Sequence, residues 1–392
     1  MNLVVPGIIL FISISGSKGY QGNYGLPFVE AAAMDGYVAE NHEVTTDDGY
    51  ILGIHRLPYK KNSTVVNKNP VLIVPGLTGT SDCFILLREN GSLAYTLVDQ
   101  GYDVWLPNPR GNKHSNKHVR FDHKVDRAYW EYTMLEMGYY DMASTVDYIT
   151  NVTKKDKITG IGHSQGNTLL FILLASRPEY NEKFNLFVAL APSIYLNSSD
   201  IEFFNAIGPY LQILDYFLRD FLGLYSIPDI DGLDVFCRAL PGIQAFCSSL
   251  VGFIDFGINI EKIYDTDIFP MVLSHMPSGI NIKVVLHYLQ LIDRGEFYSY
   301  DYGDIGNMRR YGTAVPPLHS IKNISVPVAL FYSHYDMLIP LSGIDRLAND
   351  LQNPILFAIQ NRNYKHLFYL FSKDVKKLHP TLLKVIKEHN SY

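Results

Sequence analysis

The sequence predicts an α/β fold: a mostly parallel central sheet with helices on both faces and a helical segment inserted into it. Short, nearly continuous apolar runs alternate with longer runs whose apolar residues recur every three or four positions. That is the pattern of strands buried on both faces and of helices packed upon them. One such run, Lys157-Ile158-Thr159-Gly160-Ile161, passes through Gly162-His163-Ser164-Gln165-Gly166 straight into a helix-compatible stretch. The rhythm breaks over residues 192–318 and then resumes, as expected of an insertion between two parts of one core.

Residues 3–14 are apolar and are followed by Ser15, Gly16 and Ser17, which suits a signal peptide over residues 1–18. The stretch is shorter than the ~20 residues of a spanning helix, so no transmembrane anchor is expected. The first part of the core, residues 19–191, opens with a hairpin. His42-Glu43-Val44-Thr45-Thr46 and Tyr50-Ile51-Leu52-Gly53-Ile54-His55 flank the turn Asp47-Asp48-Gly49. After a polar loop come a strand at Val71-Leu72-Ile73-Val74, a helix over residues 92–100 ended by Gly101, and a strand at Tyr102-Asp103-Val104-Trp105-Leu106. A helix over residues 141–152, the strand and helix around Ser164, and a buried strand over residues 184–190 complete this part.

From residue 192 to residue 318 the chain turns helical and aromatic with no clear strand, and it reads as a cap or lid. Tyr210, Leu214, Phe217, Phe221 and Leu224 form one apolar stripe there, and Leu211, Leu218, Leu222 and Tyr225 a second. A helix with two apolar faces needs two apolar neighbours. Either it is buried in protein on both sides, or one face lines a pocket for an acyl chain. The second part of the core, residues 319–392, holds a strand over residues 326–332, a helix after Pro340, a strand over residues 355–359, and a terminal helix over residues 374–390 interrupted at Pro380.

The 392 residues are 47% hydrophobic and 18% charged, enough apolar material for a large core and incompatible with disorder. The formal charge of −6 and the scattered Lys and Arg residues leave no basic face, so nucleic acid is excluded as a partner. No cofactor and no metal site are expected. Of the cysteines Cys83, Cys237 and Cys247, the last two can close a small loop in an oxidising compartment, or all three can be buried thiols. Glycosylation sequons begin at Asn62, Asn90, Asn151, Asn197 and Asn323, in keeping with secretion.

A serine hydroxyl is a poor nucleophile near neutral pH and needs a base that is itself held by a third group. Glycines two residues to either side of Ser164 let strand and helix approach closely around a strained serine, which makes Ser164 the candidate nucleophile. On a sheet of this kind the acid and then the histidine follow the serine in sequence. Asp336, in Ser333-His334-Tyr335-Asp336, falls at the carboxyl end of the strand over residues 326–332, whereas the alternative, Asp345, falls in the helix after Pro340. His366 follows the last strand, while His379 and His389 belong to the terminal helix. The negative oxygen of a tetrahedral intermediate needs two N–H donors. The main chain of Gln165 is one candidate, and that of Leu77 in Val74-Pro75-Gly76-Leu77-Thr78-Gly79 the other.

These residues carry a resemblance. Glu43-Val44-Thr45-Thr46-Asp47-Asp48-Gly49-Tyr50-Ile51-Leu52, Ser92-Leu93-Ala94-Tyr95, Gly101-Tyr102-Asp103-Val104-Trp105-Leu106, Asn108-Pro109-Arg110-Gly111-Asn112 and Gly162-His163-Ser164-Gln165-Gly166 together are similar to the acid lipase family of gastric and lysosomal acid lipases, in particular its insect members. The resemblance covers nearly all of the chain after the signal segment. It implies an α/β-hydrolase core under a cap and lid, the triad Ser164, Asp336 and His366, and hydrolysis of neutral lipid esters at a lipid-water interface. It also implies a secreted or lysosomal glycoprotein and a cap disulfide between Cys237 and Cys247. The chain departs from the family in having Pro75-Gly76 in place of His-Gly, Phe368 in place of an acidic residue, and no third cap cysteine. These departures bear on rate and substrate. The expected function is that of a serine lipase, secreted or in the lysosomal lumen. The competing expectations are a lipid carrier that keeps the fold with little activity, and an acyl hydrolase for polar substrates.

Overall fold

The computed structural model describes residues 25–65, 69–196, 210–227, 263–264 and 268–390. The expected signal segment, the sequon at Asn197 and the cysteines Cys237 and Cys247 lie outside the described residues.

The strands are β1 (Glu40–Thr45), β2 (Tyr50–Leu57), β3 (Pro70–Val74), β4 (Asp103–Pro107), β5 (Lys117–His118), β6 (Ile158–His163), β7 (Phe184–Leu190), β8 (Ser226–Ile227), β9 (Ile280–Asn281), β10 (Val328–Ser333) and β11 (Pro354–Ile359). The main sheet runs β1-β2-β4-β3-β6-β7-β10-β11, with β5 on β2. From β4 to β11 every pairing is parallel, and the hairpin β1-β2 meets β4 antiparallel at one edge. The main helices are α1 (Leu93–Asp99), α2 (Ala143–Thr153), α3 (Gln165–Ser176), α4 (Leu211–Asp215), α5 (Ile282–Arg294), α6 (Leu341–Asp350) and α7 (His379–His389).

The unbroken apolar strands are explained by the two cores they separate. Val71, Ile73, Val104, Leu106, Ile161, Val188 and Phe331 enter one core with Leu93, Leu97, Leu382 and Ile386 of α1 and α7. Leu72, Val74, Trp105, Phe187, Ala189 and Leu330 enter the other with Val146 of α2 and Leu169 to Leu174 of α3. Successive side chains of a strand point to opposite faces, so a strand covered on both must be apolar at every position.

Several expectations are corrected. The segment between β7 and β10 is not free of strands, since β8 and β9 pair antiparallel. The helix expected over residues 141–152 begins earlier. Thr133 N–H donates to the Glu136 carboxylate at 2.7 Å, and a π-helical turn at Met137–Met142 leads into α2. Pro380 does not interrupt the terminal helix but sits in the first turn of α7, where a missing N–H is harmless. The two apolar stripes of residues 210–225 are not both covered. Leu211, Leu214 and Leu218 pack on Ile282, Leu286 and Tyr300, while Tyr210, Ile213, Phe217 and Phe221 are exposed.

Buried imidazoles make the fold sensitive to acid. His55 stacks on Phe28 at 4.1 Å, His319 lies between Ser176 and Ser299, and His287 Nε2–H donates to the Tyr298 carbonyl. Burial above all holds His55, His163 and His319 at about 3 and His287 and His379 at about 4, against an ordinary 6.5. A histidine with a depressed pKa takes up its proton later in the fold than in the unfolded chain. The stability it provides is therefore complete above pH 6.5 and is lost as the pH falls toward 4. Asp141, raised by burial to about 6, opposes this as a single group. Scanning calorimetry should show a melting temperature that falls by several degrees between neutral pH and about pH 4.5, at up to about 1.4 kcal/mol per pH unit per histidine. A flat or rising melting temperature would contradict this account.

Candidate active site

The crossover from β6 to α3 turns directly from strand to helix at Ser164. Ser164 adopts φ 50 and ψ −117, a left-handed conformation that costs a non-glycine residue about 1–3 kcal/mol. The surroundings hold it there. The carbonyl of Leu190, at the end of β7, accepts the Ser164 N–H at 3.0 Å and the Asn167 Nδ2–H at 2.7 Å. A Cβ on Gly162 would stand 2.4 Å from Asn167 Oδ1, and one on Gly166 would stand 2.2 Å from the Val74 carbonyl oxygen. Hydrogen alone fits at both positions, the physical content of the glycine spacing around Ser164.

Asp336 and His366 leave the loops after β10 and β11. His366 Nε2 accepts the Ser164 hydroxyl at 2.8 Å, and its Nδ1–H donates to Asp336 Oδ2 at 2.9 Å. The other carboxylate oxygen of Asp336 accepts the Leu338 N–H at 3.0 Å. Ser333 Oγ donates to the Tyr364 carbonyl at 2.5 Å, tying the loop of the acid to that of the histidine. Asp345 is exposed on α6, His379 meets Thr96 at 3.0 Å and His389 lies against Val385, so none of these reaches the serine.

The loop after β3 lies directly against Ser164, since a Cβ on Gly76 would be 3.1 Å from Ser164 Cβ. Gly79 N–H donates back to the Gly76 carbonyl, and Thr78 takes φ 70, so the chain turns here without using the missing N–H of Pro75. Gln165 is the first residue of α3, and its N–H has no acceptor within the helix. Leu77 and Gln165 also border a cavity of about 30 Å³ behind the loop, together with Arg110 and Asn112. Phe368 is fully buried beside Tyr364.

In front of Ser164 lies a cavity of about 950 Å³, lined by Leu196, Val272, Leu289, Ile292, Leu338 and Leu370 among others. The stripe of residues 210–225 does not line it. Among the helices that do is α5, through Val285, Tyr288, Leu289 and Ile292. Cys83 also faces the cavity as a buried free thiol, pushed up to about 12 by burial and therefore not a nucleophile. Among the described residues no cluster of His, Cys, Asp and Glu is arranged to hold a metal, and no helix is long and apolar enough to cross a membrane.

Two features behind the site had no signal in the sequence beyond the resemblance. Arg110 is fully buried, donates to Asp48 at 2.6 and 2.9 Å and to Asp141 at 2.8 Å, and lies 3.8 Å above the Tyr50 ring. Burial opposes its charge, and the two carboxylates restore it. This pairing joins the hairpin turn at Asp48 to the loop that carries Asn112. Asp82, also fully buried, receives Thr80 and His114 at 2.7 Å. Only a side chain at a register with both neighbours on one face can be read from sequence, and the contacts of Arg110 with Asp48 and Asp141 and of His114 with Asp82 cross 31 or more positions.

Residues 28–88 match the family described as partial alpha/beta-hydrolase lipase region, and residues 69–224 match the alpha/beta hydrolase fold. The chain is 32% identical to Lipase 1 of Drosophila melanogaster over 90% of its length and 78% of that protein. It is 33% identical to gastric triacylglycerol lipase of Mus musculus over 86% of each chain. Among solved structures, a candidate lipase from Sulfolobus solfataricus superposes with a TM-score of 0.60 at 14% identity, over 90% of this chain and 95% of that one, a likeness of fold.

The geometry of the turn is open to test. Gly166→Ala should cost about 3 kcal/mol or more in urea unfolding, because β3 or α3 must shift to admit the methyl group. Gly312→Ala, where nothing stands within 4 Å and φ is +77, should cost only about 1–2 kcal/mol for the left-handed backbone. Equal costs would sink the close-approach argument.

Proposed function

The chain belongs to the acid lipase family and is a carboxylic ester hydrolase, and from that premise we propose that it cleaves long-chain esters of neutral lipids, triacylglycerol or a similar ester, through an acyl-enzyme on Ser164. The observation that carries this reading is the chain of hydrogen bonds Ser164–His366–Asp336 opening onto a large apolar cavity. In the proposed reaction His366 takes the Ser164 proton as the hydroxyl oxygen attacks the ester carbonyl. Asp336 keeps the imidazole oriented and balances its charge. The oxyanion that forms is received by the N–H groups of Leu77 and Gln165 at the N-terminus of α3, where the helix dipole also favours negative charge. His366 then returns the proton to the leaving alcohol, and water, activated by the same histidine, releases the fatty acid.

A cavity walled by aliphatic side chains suits an acyl chain better than a peptide or a polar acyl group. Binding at a lipid-water interface is supported by apolar side chains that stand in solvent. Met337 and Leu341 are exposed where they line the cavity, and Tyr210, Ile213, Phe217 and Phe221 form an exposed stripe on the segment packed against α5. The asparagines of the sequons at Asn62, Asn90, Asn151 and Asn323 are exposed, which supports glycosylation and a secretory route, to the outside of the cell or to the lysosomal lumen. The complete hydrogen-bonded triad favours an active hydrolase over a lipid carrier on the same scaffold.

Ser164→Ala should lower kcat for a long-chain ester by about 10⁶-fold, and Asp336→Asn by about 10⁴-fold, with the melting temperature preserved in both. Undiminished turnover by Ser164→Ala overturns the mechanism, and a wild-type protein that binds lipid without reacting with a fluorophosphonate would be a carrier. Leu289→Trp, which fills the cavity from α5, should reduce kcat/KM for an oleoyl ester at least about 10-fold more than for a butyryl ester. An equal loss on both would mean that the acyl chain lies elsewhere.

A further inference from the structure

We infer that His163 is a positioning residue for this reaction, holding the main chain of His366 to the strand that carries the nucleophile. The inference rests on the hydrolase reading above and extends it to a side chain that makes no hydrogen bond to Ser164 Oγ.

His163 ends β6, is 2% exposed, and borders the catalytic cavity. Its Nε2 lies 3.0 Å from the main-chain oxygen of His366. A carbonyl only accepts, so Nε2 bears the hydrogen and Nδ1 is bare. Nδ1 has no protein partner among the described residues and sits 3.1 Å from where a Cβ on Gly76 would stand. The loop of His366 is also fastened to β10, through Ser333 Oγ to the Tyr364 carbonyl and Tyr369 Oη to the Phe331 carbonyl at 3.3 Å. Those bonds register the base against the acid. His163 ties that loop to β6 and thus registers the base against the nucleophile.

The ring must also be uncharged to serve. Its centroid is 5.3 Å from that of His366 and 6.1 Å from that of Tyr369, and the Asp336 carboxylate acts on it from beyond His366. Catalysis makes His366 an imidazolium, and a second cation so near would oppose it. Burial, helped by His366, keeps His163 neutral down to about 3.

The test compares His163→Phe, of similar volume without a donor, with His163→Gln, whose amide N–H can reach the same carbonyl. His163→Phe should lower both kcat for a p-nitrophenyl ester and the rate of Ser164 labelling by a fluorophosphonate about 10- to 100-fold with KM little changed, as misplacement of a base requires. His163→Gln should recover most of that loss. A folded Phe variant that labels at the wild-type rate, or Gln and Phe variants equally slow, overturns the inference. Independently of any variant, nitrogen NMR of histidine-labelled wild type near pH 5 should find His163 neutral and protonated at Nε2. A charged ring or the Nδ1–H tautomer also overturns it. If the wild type itself resists the fluorophosphonate, it is the hydrolase reading that fails.

Discussion

The left-handed backbone at Ser164 is the constraint around which the site is organised. A residue at φ 50 would relax unless its neighbours forbade it, and here the Leu190 carbonyl, the tight packing at Gly162 and Gly166, and the fully buried α3 do so together. The result is a hydroxyl lifted clear of the end of the sheet. The parallel pairing β6-β7-β10-β11 then places the carboxyl ends of the strands side by side. The acid and the base can therefore leave from two different strands and still meet the serine, because the sheet supplies a common rigid edge.

Polar groups behind that edge act as fasteners. Arg110 joins the hairpin turn to the start of α2, Asp82 gathers Thr80 and His114, and Ser333 and His163 hold the loop of His366 from two sides. Each is buried and makes at least one hydrogen bond, as burial requires of polar groups. In front of the edge the chemistry reverses: the cavity is lined mostly by apolar side chains, with Ser164 and His366 on its wall. Polar rigidity behind and apolar space in front suit the proposed transfer of an acyl group to Ser164.

Local pattern carried much of this into the sequence. The alternation of buried strands and helices, the turn at Asp47-Asp48-Gly49 and the glycines around Ser164 depend on residues a few positions apart, so they are legible. Asp336 and His366 were legible for a related reason: each follows a recognisable strand, and the order of acid and histidine is set by the direction of the chain. The apolar stripes of residues 210–225 show where such reading ends. Periodicity identifies a face that is able to be buried and says nothing about what covers it. Leu211 found α5, Phe221 found solvent, and α5, not this stripe, contributes to the wall of the cavity.

By itself, then, the sequence determined the layered fold, the strained serine and the identity of its two partners, because these follow from short-range spacing and from the polarity of the chain. Tertiary structure alone decided which apolar surface lines the cavity, that Arg110 is shared by Asp48 and Asp141, and that His163 reaches the main chain of His366, 203 positions away. Contacts of that kind depend on how layers are stacked and loops are aimed. No periodicity along the chain encodes them, since the partners share neither an element nor a spacing.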